Sequence, residues 1–427
     1  SALGPWNPGV ESQIPARLLP LSTVYRTEHV TTPLAHAQEL ADLTGLPPTE
    51  LVVFRPERLV LHELLVRVTA NVSVPDGERI EDLGISFRQR ARTLLERHVE
   101  PRMEELVAAY GEVRRRVEAI GTRVLAPLFT TRADNTQPQR ASLLSRWLGR
   151  PAAREPATEK SSPDAALTDW SARARTSTAT AERAAFHALH RTVSAVMVRH
   201  GALWGDGSAI AAVASSLAAN QAGSDALGAM LEPLVARGAA AEGFSHLPRQ
   251  DAPVVMNTKG PSAAGKSTMR PLQKALAGRI GVRWSEFAVI SPDIWRKLLL
   301  DYASLGPDYR YAGAFTGDEL HIVDRKLDRY MAHRAARGET THLLIDRFRF
   351  DSFAPDSDEA GSNLLTRFGQ IVYMFFLVTP PEALVERAWK RGLDVGRYKA
   401  VDDTLAHAVE AYAGMPELFF TWIDRRD

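Results

Sequence analysis

The chain has 427 residues, 45% of them hydrophobic, with 52 Lys and Arg against 51 Asp and Glu and no cysteine; at about 150 residues per domain this predicts two or three domains. The lack of cysteine excludes a disulfide scaffold, thiolate-bound metal and a thiol nucleophile, and the even charge argues against a nucleic-acid partner. No apolar stretch approaches the about 18 residues of a membrane span, and the first residues lack a secretory signal pattern, so no membrane partner and a cytoplasmic location are expected.

Residues 1–20 read as a tail, with Pro5, Pro8, Pro15 and Pro20 and little periodicity. Residues 21–129 read as a mainly helical domain. In it Leu94, Leu95, Val99, Met103, Leu106 and Val107 recur at helical spacing, with an interruption at Pro101. An apolar stretch before them ends in a Pro-Asp-Gly turn at residues 75–77, and its first half reads equally as helix or strand. Residues 130–170, rich in Pro, Ser, Thr and Arg, are expected to be a linker or disordered insertion. There Arg140, Arg146, Arg150 and Arg154 are either solvated or face an anionic partner. Residues 171–247 form Ala-rich helices, each closed by Gly.

Residues 248–427 change character. The apolar runs "PVVMNT", "FAVIS", "HLLID" and "IVYMFFLV" alternate with amphipathic helical sequence. That alternation predicts an α/β domain with a parallel sheet flanked by helices, at the C-terminal end of a mainly α-helical chain.

Residues 260–267 fit G-x-x-x-x-G-K-[ST] between an apolar strand and an amphipathic helix. Gly260 and Gly265 allow a tight loop whose amides turn inward on a phosphate, and the helix that follows adds its positive end. Lys266 then reaches the β- and γ-phosphates, and Ser267 is placed to ligate Mg²⁺. The nucleotide-binding set is Gly260, Pro261, Ser262, Ala263, Ala264, Gly265, Lys266, Ser267 and Thr268. Asp346, ending "HLLID", is the second metal-binding residue. It is followed by Arg347 rather than by the Glu of a hydrolysing machine, which disfavours a motor ATPase.

Asp293 follows "FAVIS" at the start of a helix. It reads either as a helix cap or as the general base that takes a proton from an attacking hydroxyl. Arg296, one turn on, is placed to orient an acceptor phosphate or carboxylate. Beyond "VTPPEAL", Arg387 and Arg391 share one helix face and Arg397 follows Gly396. They read as lid arginines that neutralise a transferring phosphoryl group, or as a solvated helix paired with Glu382 and Glu386. The charged segment "TGDELHIVDRKLDRYMAHRAARGE" reads mostly as solvated surface, with Asp318, Glu319 and Asp324 as candidate acceptor contacts. Arg347, Arg349 and Asp351 read either as acceptor contacts or as an ion-pair cluster.

"GPSAAGKST", "SPDIWRK", "GPDYRYA" and "ERAWKRG…GRYK" together resemble the zeta-toxin family of P-loop kinases, over about residues 251–420. The resemblance extends to the related effectors of plant-pathogenic bacteria that phosphorylate NAD. It implies an ATP- and Mg²⁺-dependent kinase with Asp293 as base, Lys266 and Ser267 on the nucleotide, and Arg391 and Arg397 as lid arginines. It further implies a small nucleotide-type acceptor such as a UDP-amino sugar or NAD, a toxin or effector role in a bacterial or host cytosol, and an inhibitory antitoxin-like partner. A five-stranded core would want one more strand after the lid. The alternative from another class is a nucleotide-dependent regulatory or scaffold protein without turnover.

Overall fold

The computed structural model describes residues 2–79, 81–133, 162–347 and 368–423. Seven helices come first: α1 (Leu34–Thr44), α2 (Pro56–Asn71), α3 (Asp82–Leu94), α4 (Met103–Ala133), α5 (Pro163–Thr176), α6 (Thr180–His200) and α7 (Gly207–Ala241). There follow β1 (Val254–Lys259), α8 (Arg270–Arg279), β2 (Phe287–Ile290), the one-turn helices α9 (Arg296–Leu299) and α10 (Ala312–Phe315), and α11 (Gly317–Ala336). Then come β3 (His342–Asp346), β4 (Ile371–Phe376), α12 (Pro381–Val395) and α13 (Val401–Ile423). No helix among the described residues is long and apolar enough to cross a membrane.

The undecided apolar stretch is irregular up to Phe54, which bridges Val30, and α2 starts at Pro56. Around Pro101 the helical path tightens and loosens through a π turn, Leu95–Val99, and a 3-10 turn, Glu100–Arg102. Proline has no N–H for the helical ladder, which accounts for the break. Part of the segment read as a linker is helix. Ser162 caps α5 by accepting the Ala165 N–H at 3.1 Å, with Pro163 at the first helical position. Residues 134–161, with the four linker arginines, lie outside the described residues. The expected stop at Gly223 is also overridden: α7 runs through it. Its cost of about 1 kcal/mol relative to alanine is small against the burial of neighbours such as Ala219, Ala222 and Leu227.

Two compact units form, and neither is a continuous piece of chain. One comprises Val30–Pro56 and Glu105–Leu227. Its core gathers Val117, Leu125, Trp170, Phe186, Leu189 and Val193 with a set of buried alanines. The alanines carry almost no side chain, so helix backbones approach closely and pack without rotamer cost.

The other unit comprises Ser1–His29, Glu57–Glu104 and Gly228–Asp427. It holds a four-stranded, all-parallel sheet in the order β2-β3-β1-β4. β1 is buried along its whole length, as a central parallel strand covered on both faces must be. α8 packs Leu276, Ala277 and Ile280 against Val254, Met256, Phe287 and Leu344 of the sheet. In this strand order, the connections leaving β1 and β3 run in opposite directions. A crevice therefore opens at the carboxyl ends of these two neighbours. The chain after the lid segment is the helix α13 rather than a fifth strand.

α11 corrects the solvated-surface expectation. Leu320, Val323, Leu327 and Met331 make one buried stripe, and its charged residues Glu319, Asp324, Lys326 and Asp328 are buried as well. Glu319 and Lys326 are matched by α2, itself buried on nearly every face, and Asp324 and Asp328 by Arg347 after β3. Arg58 and His62 of α2 hold Glu319, His62 at 2.7 Å. Lys326 lies 3.1 Å from the other His62 ring nitrogen. Burial and Lys326 push His62 down to about 4, so the ring is neutral at pH 7. It donates from Nε2 to Glu319 and accepts from Lys326 at Nδ1.

Candidate active site

The loop after β1 is shaped by two glycines. A Cβ on Gly260 would lie 3.1 Å from the Leu377 Cβ and 3.2 Å from its carbonyl oxygen, closer than side chains normally pack. Gly265 has φ 96°, a left-handed value that favours glycine. Ala263, between them, is also left-handed, with φ 65°. This turns the chain sharply from strand into the 3-10 turn Lys266–Met269 and then into α8. Lys266 Nζ lies over the loop and donates to the carbonyls of Gly260 and Pro261 at 3.1 and 3.2 Å. Thr268 donates to the Gly265 carbonyl at 2.6 Å.

Of the arginines read as a lid, Arg387 and Arg391 reach this loop. Arg387 donates to the Ala264 carbonyl at 3.2 Å, and Arg391 meets the Ser262 hydroxyl at 3.4 Å. Thr379 ties the same Ala264 carbonyl to α13 through Tyr412. Arg397, just after α12, is ion-paired with Asp293.

Asp293 follows β2 in a 3-10 turn. Its second oxygen accepts from Arg296 Nε at 2.8 Å. Arg296 is in turn fixed by the Gly313 carbonyl at 2.6 Å and the Thr316 hydroxyl at 2.7 Å. No capping bond from the Ser291 side chain opens this turn, and the Asp293 carboxylate is spent on arginines. Burial by itself would raise the Asp293 pKa, but Arg397 and Arg296 hold it well below the usual carboxylate range.

These groups line a cavity of about 310 Å³ at the carboxyl end of the sheet. Ser262, Ala263 and Lys266 form its loop side, Asp293 and Arg296 its β2 side, Asp346 its β3 side, and Arg391, Arg397 and Lys399 its lid side. The lining carries seven lysines and arginines against five carboxylates, so positive charge is concentrated here in a chain that is nearly neutral overall. Burial lowers the Lys266 pKa against the pull of Asp346 and Asp293. Burial and then Arg397 push Arg391 down to about 9, and its buried Nε has no hydrogen-bond partner among the described residues. A crowded, desolvated set of cations with an unsatisfied donor is the environment a polyphosphate satisfies.

Asp346 lies opposite Thr258 in the β1–β3 register, with the Ser291 hydroxyl 3.5 Å from its carboxylate. Ser267 is half-buried in the turn just past Lys266. These are hard oxygen donors of the kind Mg²⁺ takes alongside water and phosphate oxygens.

Two residues read as acceptor contacts are placed differently. Glu319 is fully buried in its ion pairs with Arg58 and His62, away from the cavity. Arg347 reaches the cavity wall but is buried, with Asp328 at 2.6 Å and Asp324 on its other branch. An ion-pair cluster is therefore the outcome of the two readings of Arg347. Arg349 and Asp351 lie outside the described residues.

The sequence reading missed Lys399, His407 and residues 10–12. Lys399 lies against the His407 ring and lines the cavity with it. Burial and then Arg391 push Lys399 down to about 7, while burial and Lys399 push His407 down to about 4. Lys399 stands within the quoted "GRYK", two residues after Arg397, so a lid reading extended by two positions would have reached it. His407 and residues 10–12 carry no local signal. No family model, curated protein or solved structure matches the chain.

Proposed function

We propose that this protein is an ATP- and Mg²⁺-dependent phosphotransferase of the P-loop kinase class, which phosphorylates a hydroxyl of a small nucleotide-type metabolite. The observation that carries this reading is the position of Asp293. Its carboxylate is held by Arg296 and Arg397 at a cavity whose facing wall is the glycine-shaped loop with Lys266.

In the reaction, Asp293 orients the acceptor hydroxyl and takes its proton as the oxygen bonds to the γ-phosphorus. The bond from phosphorus to the leaving diphosphate opens with its electron pair on the diphosphate. Lys266, Arg391 and Arg397 meet the charge that spreads over the phosphoryl oxygens. A carboxylate of low basicity suits this role, because in a loose transition state the nucleophile is deprotonated late. Arg397 has to exchange Asp293 for phosphate oxygen as substrates enter. Ser267 and Asp346 are the residues that would hold Mg²⁺, which when bound neutralises phosphate oxygens.

The motif resemblance to zeta toxins and NAD-phosphorylating effectors supports UDP-amino sugars and NAD as acceptor classes, and an antitoxin-like inhibitor as partner. Incubation with γ-labelled ATP, Mg²⁺ and a panel of UDP-sugars, NAD and nucleosides, followed by mass spectrometry, tests the reading. A product heavier by one phosphoryl group is expected from the wild type and not from Asp293→Asn. ATP binding with no phosphorylated product from any member of the panel would favour the regulatory alternative.

A further inference from the structure

We propose that residues 8–12 of the N-terminal segment form the acceptor-side wall of the active cavity, and that Arg310 is the positioning residue that holds this wall in place. The proposal rests on the kinase reading above and adds an element that the catalytic motifs do not contain.

The segment is built into the same compact unit as the sheet. Leu18 is buried with Leu300, Leu305, Ala312 and Phe315, and Ile14 and Leu21 pack on the same cluster. The Thr23 N–H bonds the Phe315 carbonyl at 2.8 Å. Nearer the cavity, Arg310 Nη1 donates to the Pro8 carbonyl at 2.8 Å, and the Glu11 N–H donates to the Tyr311 hydroxyl at 3.2 Å. Gly9, between these two anchors, has φ 73°, and a Cβ there would lie 2.8 Å from Leu3 and 3.3 Å from Arg310 Nη1. Arg310 is itself fixed over the Tyr398 ring at 4.8 Å and the Tyr309 ring at 5.7 Å. Tyr398 directly follows Arg397. The anchor of the N-terminal segment is thus tied to the residue next to the arginine that holds Asp293.

Val10, Glu11 and Ser12 line the cavity. The loop and lid walls are cationic, which suits phosphate. This wall offers a carboxylate, a hydroxyl and an apolar side chain, with His321 and Asp324 also on the lining. Such a surface accepts hydrogen bonds from hydroxyls, with the Arg310 cation beside it on the lining. It fits the neutral, hydroxyl-bearing part of the acceptor and leaves the nucleotide triphosphate to Lys266 and Arg391.

The test measures binding by calorimetry in the full chain carrying Asp293→Asn, so that no turnover intervenes. The probes are Mg²⁺·ATP, NAD and UDP-N-acetylglucosamine. Arg310→Gln removes the anchor, Gly9→Val forces the segment off it, and Glu11→Ala alters the wall without touching buried side chains. Each is expected to weaken acceptor binding, by about tenfold for the first two, with ATP affinity within about twofold of the parent. Equal losses for ATP and acceptor, or acceptor binding unchanged in all three, overturn the proposal. If the parent binds ATP but neither acceptor probe, the proposal falls while the nucleotide site stands; if it binds no ATP either, the kinase reading itself is lost.

Discussion

Arg397 and Asp293 are ion-paired across 104 residues of chain. The contact joins the segment just after α12 to the turn after β2, so two walls of the cavity are tied together. Arg296 holds the other carboxylate oxygen, and Lys266 lies on the facing wall. Asp293→Asn keeps a carbonyl oxygen for one arginine but removes the charge. It is expected to lower product formation by about 10²- to 10⁴-fold while leaving ATP affinity nearly intact. Parallel turnover and nucleotide-binding measurements check this.

Gly260 is expected to tolerate no side chain. Valine there would push on Leu377, whose backbone carbonyl cannot move without disturbing the end of β4. Gly260→Val should cost about 1–3 kcal/mol by overpacking and abolish ATP binding. Lys266→Ala should abolish ATP binding with little loss of stability. Denaturant midpoints set beside nucleotide titrations separate the two.

Lys399 is expected to make nucleotide binding pH-dependent. Its ammonium, pushed down to about 7 by burial and then Arg391, is charged below that pH and neutral above it. The affinity for Mg²⁺·ATP should therefore fall as pH rises through about 7, and Lys399→Met should flatten that slope. The same depression means that the folded state binds fewer protons than the unfolded chain between about 7 and the ordinary lysine value. This one group therefore favours folding more as pH rises through that window. Nucleotide titrations at several pH values test the first statement, and melting curves of wild type and variant the second.

Arg347 is expected to act on stability rather than on acceptor recognition. Arg347→Met removes the guanidinium that pairs with the buried carboxylates of Asp324 and Asp328, and breaking such a pair typically costs about 3–5 kcal/mol. The denaturation midpoint should fall, which denaturant titration of wild type and variant checks.

Glu319 gives an acid-lability prediction. Burial would raise its pKa, but Arg58 and His62 hold it far below the ordinary carboxylate range. Its contribution to stability is therefore complete above the unfolded-chain value and is lost as pH falls below it. Glu319→Gln should lower stability at neutral pH and flatten the acid limb of the stability profile. A steep acid limb retained in the variant would place the lability elsewhere.

Four strands were legible because each is a short apolar run bounded by helix or turn signals, and a parallel sheet buried on both faces demands such runs. The glycine-shaped loop was legible because its chemistry is local: two glycines, a lysine and a hydroxyl at set intervals. α11 was misread because its charges suggested solvent. They are buried because their counter-charges come from elsewhere in the chain: α2, more than 240 residues earlier, partners Glu319 and Lys326, as the Arg58–Glu319 pair shows at a separation of 261 residues, and Arg347 after β3 partners Asp324 and Asp328. Composition along the chain likewise suggested consecutive domains, whereas residues 57–104 fold with the sheet and residues 30–56 with the Ala-rich helices.

The amino-acid sequence by itself determined the strands and the glycine-shaped loop with its lysine and hydroxyl, because these follow from backbone geometry and spacing within a few residues. Only the tertiary structure decided which of several arginines meets Asp293, and that Lys399, His407 and residues 10–12 come to line the same cavity. The Arg310–Pro8 bond spans 302 residues. Such contacts depend on where the crossovers of the sheet return the chain, and no local pattern of side chains encodes that path.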